Sequence, residues 1–397
     1  MSFIVFVGIY MFLVSLSYIV LYGRSRSKSV PNVHFIPNTT ILAPCTDNDV
    51  EHIVASVYNF LSIAENVVIV CDNSTRSFNA LQREFRMHSE YPKAPTHKHK
   101  LVTGVWVRGS LTVVRKISNR SKGDSNNAGL PYVDTPLVFV CDADTVVTRE
   151  ALAHAQRKLV DENADGCGVP LMPANREGFH AKVQVAEYAR AMTLRKGWSK
   201  FGTLCNISGG AGLFRTETLK KYGYHVTTCA EDLVSTWTML RDGKHLTYEP
   251  LAEMGTEVPS TTKTKRSQST RWHRGLFEAL WAVKPNKFNR YLGFWLWMLL
   301  AEGLEPIIEI AGIIWMCTHR VSPTGWATLA VGILSTVFLT MACTKRRNVS
   351  SFWHYAIHEL FVKFMSLLWR TAGLVQFLIG NREWQPIARQ VISRKAD

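Results

Sequence analysis

The sequence predicts an α/β protein: a doubly wound, mostly parallel sheet with transmembrane helices near both ends of the chain and an interfacial helix between. Two observations predict it. From Asn38 to about Pro259, short β-branched runs alternate with segments of helical period. Outside that region lie long uncharged stretches closed by clusters of Lys and Arg, the pattern of membrane spans with a cationic cytosolic side.

The first element is residues 1–23. Met1 to Gly23 carries no charge and is followed at once by Arg24, Arg26 and Lys28. At about 1.5 Å per residue it is long enough to cross a hydrocarbon layer of roughly 30 Å. It lacks the basic start and small-residue cleavage site of a signal peptide, so an anchor is expected.

Thr40–Pro44, Val67–Cys71, Leu101–Val107, Leu137–Cys141 and Cys167–Met172 read as strands of a domain over 38–259. Val50, Ile53, Val54, Val57, Phe60 and Leu61 fall on one face of a helix after the first strand. Strand–helix alternation implies parallel strands, whose carboxyl ends collect ligands. Two of these strands run into acids, at Asp72 and at Asp142-Ala143-Asp144.

Residues 260–290 form a cationic block with eight Lys or Arg and one acid, Glu278. Trp272, Leu276, Leu280 and Trp281 recur there at helical spacing, so a basic helix lying in the membrane interface is expected. A hairpin of two spans follows over 291–343, its first arm interrupted by Glu302, Glu305, Pro306 and Glu309. The three glutamates share one helical stripe and are expected to pair with His358, Lys363 or Arg370, or to line a polymer path; the alternative is a deeper-lying interfacial helix. Segment 352–380 is apolar but charged enough to cross, re-enter or lie in the interface, and 381–397 is a basic tail.

Only 19% of residues are charged and the net charge is +15. The eight cysteines are scattered with no C-x-x-C pair, which excludes a zinc ribbon or a disulfide scaffold and fits a reducing compartment. The cations cluster beside membrane segments, not on a separate basic domain, which argues against nucleic-acid binding.

Four groups could do chemistry. Asp142 and Asp144, two apart after a buried strand, point the same way in extended backbone and suit a hard divalent ion; the alternative is that they cap the helix starting near Thr148. Lys122, in a Gly/Ser/Asn turn, is a phosphate ligand or part of a solvated loop. Glu231-Asp232 opens a helix, as a general base or as charges favoured by the helix dipole. Gln268-Ser269-Thr270-Arg271-Trp272 offers a cation for a diphosphate and a flat ring for a sugar, or lipid contacts.

Together and in this order, these elements resemble the membrane-embedded family 2 glycosyltransferases, the group of cellulose, chitin, hyaluronan and poly-N-acetylglucosamine synthases. The markers are Asp72, Lys122 with Asn127, Asp142-Ala143-Asp144, Glu231-Asp232 and Gln268-x-x-Arg271-Trp272, spread from about Thr40 to the end. Tyr248-Glu249-Pro250 and the run through Glu257-Val258-Pro259 look like the poly-N-acetylglucosamine and mannan-type branches, and Trp384 and Arg389 like the family's ending. Ser208-Gly209-Gly210-Ala211-Gly212 matches its small-residue segment beneath the acceptor. Ser269 departs from the Gln or Arg that polymerising members often carry there.

The resemblance implies a UDP-sugar donor, Mg²⁺ or Mn²⁺, and inverting transfer to a growing β-linked polysaccharide. By it, Asp72 contacts the uracil, Asp142 the diphosphate region, and Lys122 and Arg271 the phosphates. Asp144 holds the metal, Asp232 is the base, Gln268 closes over the nucleotide, and Glu231 and Trp272 meet the acceptor. It places the chain in a plasma (inner) membrane, multi-pass, with the catalytic domain cytosolic, alone, as a homo-oligomer or with an export partner. The alternatives are transfer of one sugar to a membrane lipid, as in ceramide glucosyltransferases, and a non-catalytic membrane scaffold.

Overall fold

The computed structural model describes residues 3–25, 38–87, 99–117, 121–346 and 352–380, the side chains of 346 and 352–364 excepted. The basic tail 381–397 lies outside the described residues. The strands are β1 (Thr39–Cys45), β2 (Asn66–Asp72), β3 (Val102–Arg108), β4 (Leu111–Lys116), β5 (Leu137–Cys141), β6 (Gly166–Gly168), β7 (Leu171–Pro173), β8 (Ala211–Arg215), β9 (Leu246–Tyr248) and β10 (Met254–Thr256). The helices are α1 (Phe3–Arg24), α2 (Ile53–Ile63), α3 (Thr75–Glu84), α4 (Lys122–Gly129), α5 (Arg149–Asp161), α6 (Phe179–Ser199) and α7 (Thr216–Tyr222). They continue as α8 (Glu231–Arg241), α9 (Thr262–Ala282), α10 (Arg290–Met298), α11 (Glu305–Thr318), α12 (Pro323–Arg346) and α13 (Phe352–Leu378).

The chain divides into two compact units. Of the described residues, one comprises 38–175 and 204–258; the other comprises 3–25, 176–203 and 259–380. The division differs from the expected uninterrupted domain over 38–259, because α6 belongs with the apolar helices.

In the first unit, eight strands run in the order β3-β4-β2-β1-β5-β8-β6-β9. The pairs β4–β2, β2–β1, β1–β5 and β6–β9 are parallel, while β3–β4, β5–β8 and β6–β8 are antiparallel, giving a mixed, mostly parallel sheet. Val67 to Asp72 and Leu137 to Cys141 are buried throughout, as strands covered on both faces must be. Of the expected helix stripe, Ile53, Val57 and Phe60 are fully buried on α2. The single strand expected over Cys167–Met172 is two: β6 joins the large sheet, while β7 pairs with β10. Pro170 lies between them and has no N–H to continue a ladder.

Asp165 ties the far end of this unit together. It accepts from Lys244 Nζ at 2.9 Å, the His245 amide at 3.0 Å and Thr218 Oγ1 at 2.9 Å. Burial works to raise its pKa, but these donors outweigh burial and hold it below the ordinary 3.8. Its ionised form therefore contributes stability above about pH 3.8, lost as pH falls through the lowered value. Asp165→Asn is expected to cost about 1–2 kcal/mol at pH 7. In thermal melts the gap between variant and parent should narrow as pH falls below 3.8; a gap independent of pH would mean that ionisation is not what matters.

In the second unit, α1 and α12 are long and apolar enough to cross a membrane, with mean hydropathies of 2.5 and 1.8. They pack together, with Ser15 Oγ and Thr336 Oγ1 hydrogen-bonded at 3.1 Å in the buried seam. The first arm of the expected hairpin is broken: α10 ends in a π-helical turn over Leu299–Gly303, and α11 restarts with Pro306 in its first turn. Its 14 residues rise about 21 Å, short of a full crossing. The turn presents Glu302 to Tyr18, whose hydroxyl donates to it, and to Arg370. Arg370 pairs with Glu305, lies 3.6 Å from Glu302 Oε2 and donates to the Glu302 carbonyl at 3.2 Å. Arg370 is thus the partner of the glutamate stripe; the side chains of His358 and Lys363 lie outside the described residues.

Candidate active site

The carboxyl ends of β2, β4 and β5 carry the charged residues. Asp72 and Lys116 are register partners in the parallel β2–β4 ladder, so the ladder itself sets them side by side. Lys116 is 1% exposed, with Nζ 2.7 Å from Asp72 Oδ1 and 2.9 Å from Asp124 Oδ2. Ser125 Oγ donates to Asp72 Oδ2 at 2.5 Å, and His99 Nε2 lies 3.3 Å from Asp124 Oδ1. Burial pushes the Asp72 carboxyl up, against the pull of Lys116 and Ser125. Asp72 is 4% exposed, so this carboxylate sits inside a network.

Lys122 is not in a solvated loop. It is the first residue of α4, where Ser121 Oγ caps the helix by accepting from the Asp124 amide at 3.1 Å. Gly123, Ser125, Asn126, Ala128 and Gly129 are buried, and packing overrides their poor helix propensity. Asn127 pins the loop after α7: its amide donates to the Tyr224 carbonyl at 2.7 Å and its oxygen accepts from the Tyr224 amide at 2.8 Å.

Asp142 and Asp144 sit in a turn rather than in extended backbone, with the Thr145 amide donating to the Asp142 carbonyl at 3.1 Å. They do not cap α5; Thr148 does, accepting from the Ala151 amide at 3.2 Å. That removes helix capping as the explanation for this pair of acids. Asp142 Oδ1 accepts from Lys122 Nζ at 2.5 Å, and Asp144 is 7% exposed.

The β5–β8 ladder pairs Cys141 with Ala211, which brings Ser208-Gly209-Gly210 against Asp142. A Cβ on Gly210 would stand 3.2 Å from Asp142 Oδ2, and one on Gly209 3.3 Å from Asp232 Cβ, so a side chain at either position would crowd the wedge between the two acids. Gly209 uses both its backbone groups there. Its carbonyl accepts from Lys122 Nζ at 2.7 Å and its amide donates to Asp232 Oδ2 at 2.7 Å. Asn206 Nδ2 donates to the same oxygen at 3.0 Å, and the Leu233 amide to Oδ1 at 2.8 Å. Three of the roughly four lone pairs of the carboxylate are thus engaged, two on Oδ2 and one on Oδ1. Asp232 is half-buried and Glu231 buried, at the start of α8.

Around Lys122, burial opposes its charge, but Asp142, then Glu231 and Asp232, outweigh it and keep its pKa above the ordinary lysine value. The cluster therefore holds one fixed cation and several fixed anions within one wall. The amino ends of α4 and α8 meet there, since a Cβ on Gly123 would come within 3.1 Å of Glu231 Cβ. Such ends favour anions. Among the described residues there is no group of three or more His, Cys, Asp or Glu able to hold a metal ion. Two oxygen ligands on one turn nevertheless fit Mg²⁺ or Mn²⁺, which takes one or two carboxylates and completes its shell with phosphate and water.

The remaining expected residues lie on α9 in the helical unit: Gln268 buried, Arg271 half-buried and Trp272 exposed. Lys265 Nζ lies 5.6 Å from the centre of the Trp272 ring. Lys116, Asp124, Asn206 and the Gly209 backbone were not singled out from the sequence. Only Lys116 left a signal there, as a cation ending a β-branched run, and that run had not been read as a strand.

A family profile described as "Glycosyl transferase family group 2" matches residues 137–344, and one described as "Glycosyl transferase family 2" matches residues 46–223. The chain is 28% identical over 183 residues to the poly-beta-1,6-N-acetyl-D-glucosamine synthase of Staphylococcus aureus, an alignment spanning 44% of each protein. It is 25% identical over 279 residues to that of Staphylococcus epidermidis, spanning 68% of this chain and 61% of that protein. The chain thus matches less than two thirds of the length of either relative. Its fold is similar to that of the mannosyltransferase PcManGT from Pyrobaculum calidifontis, solved with GDP-Man and Mn²⁺. The TM-score is 0.58 and the identity 16%, over 95% of this chain and 99% of the other. With that first profile matched over more than half its length, and a mixed, mostly parallel sheet, the chain belongs to glycosyl transferase family group 2.

Proposed function

We propose that the protein is an inverting membrane glycosyltransferase that moves a sugar from a UDP-sugar to a growing β-linked polysaccharide. The observation that carries this reading is the joint hold of Gly209 on Lys122 and Asp232, which sets a phosphate-binding cation and a base on either side of one small-residue wedge.

In this reading Asp72 reads the uracil through the lone pairs that Lys116 and Ser125 leave open. Lys122 exchanges Asp142 for the donor diphosphate, with Arg271 as a second cation. Asp142 flanks the diphosphate and Asp144 holds the metal. When bound, Mg²⁺ or Mn²⁺ offsets negative charge on the departing diphosphate. Glu231 and Trp272 orient the acceptor, Trp272 by stacking on a sugar ring, and Gln268 closes over the nucleotide. The acceptor hydroxyl attacks the anomeric carbon, the bond from that carbon to the diphosphate oxygen breaks with its electron pair, and the hydroxyl proton passes to Asp232. A single displacement at an α-linked donor gives a β-linked product. The two helices long and apolar enough to cross a membrane support a membrane location; in this reading the enzyme is multi-pass, with its catalytic unit cytosolic. The named relatives, poly-beta-1,6-N-acetyl-D-glucosamine synthases, support a polysaccharide product.

The test supplies membranes containing the protein with Mg²⁺ or Mn²⁺ and a panel of radiolabelled UDP-sugars, then sizes the product after lipid extraction. Label in high-mass, lipid-free material is expected; label confined to the lipid extract would overturn the polysaccharide reading. Asp144→Ala is expected to weaken metal-dependent UDP binding at least tenfold while leaving metal-free binding unchanged. An unaltered metal titration would show that the ion is held elsewhere.

A further inference from the structure

The helical unit contains a cavity of about 90 Å³ among α6, α9 and α13. Phe179, Val183, Met365 and Trp369 give it a mostly apolar lining. Gln184, fully buried, is part of the same wall. Its Nε2 donates to the His180 carbonyl at 3.0 Å and to the Pro259 carbonyl at 2.6 Å. Those two carbonyls fix which way the amide lies, because the flipped amide would set oxygen against oxygen. Oε1 is left buried without a hydrogen-bond donor. A buried carbonyl in that state is costly, and a ligand that brings one donor removes the cost.

Charge and size narrow the ligand further. Lys265, on the cavity wall, is paired with Glu187 Oε2 at 2.7 Å, and His180 Nε2 is hydrogen-bonded to Thr262 Oγ1 at 2.9 Å. Burial and Lys265 hold the His180 imidazole below its ordinary pKa, so it stays neutral. The wall has no uncompensated charge to meet an ionised group. An apolar cavity of about 150 Å³ takes a benzene ring, so this smaller space excludes a pyranose and admits a slender chain. Phe179, 42% exposed, stands at its mouth.

We infer that this cavity binds the end of a long-chain, uncharged amphiphile, an alcohol or amide whose single hydrogen-bond donor meets Gln184 Oε1. The site does not depend on the proposed transfer chemistry. It has the same chemistry whether the occupant is a resident membrane lipid or a lipid that accepts sugar.

The test uses the full chain in detergent, with no nucleotide sugar, and three photoreactive diazirine probes: hexadecanol, its methyl ether and palmitic acid. The alcohol is expected to label peptides containing Phe179–Val183 and Met365, about tenfold more than the ether, which lacks the donor, or the carboxylate. Val183→Phe, which fills the cavity and leaves the Gln184 hydrogen bonds intact, should lose the label without a change in Tm. Equal labelling by alcohol and ether, stronger labelling by palmitate, or labelling that survives Val183→Phe would overturn the site. Displacement of the alcohol by a soluble oligosaccharide would also overturn it, by showing that the occupant is a sugar. Adding UDP-sugars afterwards separates the two sources: sugar transferred to the bound alcohol marks an acceptor, and binding without transfer marks a resident lipid.

Discussion

Asp232→Asn is expected to slow transfer by about 10²–10⁴ while leaving UDP binding within about twofold of the parent. The carboxylate is held by N–H donors alone, from Asn206, Gly209 and Leu233. An asparagine can keep its oxygen toward Asn206 and Gly209. Its NH₂ then lies where Oδ1 accepted from the Leu233 amide, and where the substrate hydroxyl would deliver its proton. The substitution thus keeps the Asn206 and Gly209 hydrogen bonds, gives up the one from the Leu233 amide, and replaces an acceptor with a donor at that position. General-base catalysis is worth about 10²–10⁴ in rate, so kcat should fall by that factor, or about 3–5 kcal/mol in barrier. Initial rates alongside UDP titration calorimetry decide it. Turnover within tenfold of the parent would rule Asp232 out as the base; lost UDP binding would show that it works through Lys122 and Gly209 instead.

The acids of this site were legible in the sequence because each one punctuates an element. Asp72 ends β2, Asp142 follows β5 and Asp232 lies in the first turn of α8, and local pattern reveals element ends well. The parallel sheet was legible for the same reason, from β-branched runs at regular intervals. What pairs with each acid was not. Asp72 meets Lys116 only because β4 lies beside β2 in register, and Leu111–Lys116 had not been recognised as a strand. Gly209 and Asn206 reach Asp232 through the antiparallel insertion of β8 beside β5, a long-range pairing with no local signature. Lys122 was misplaced for an energetic reason, since a Gly/Ser/Asn segment reads as a turn until burial and the Ser121 cap are known. The membership of α6 in the helical unit was equally hidden, because its sequence has no clear apolar face.

Lys116→Met should be the most destabilising single change in the sheet-containing unit. Lys116 is buried and its ammonium is shared between Asp72 and Asp124, themselves 4% and 5% exposed. Methionine matches the length of the stem, so packing is nearly conserved and the change isolates the charge. Removing one partner of a buried ion pair costs about 3–5 kcal/mol, because the uncompensated carboxylates have neither water nor a cation. For a domain of this size that corresponds to a fall in Tm of about 2–4 °C per kcal/mol. The double variant Lys116→Met, Asp124→Asn tests the cause: with one of the two stranded charges gone, stability should recover by at least half. Thermal melts of both variants give the answer, and UDP titration of the double variant adds the functional one. If Lys116 exists to hold Asp72 in place for a base, nucleotide affinity should stay low after stability has returned. A loss of under 1 kcal/mol in the single variant would mean that water reaches these acids and that the network does not anchor the nucleotide end of the sheet.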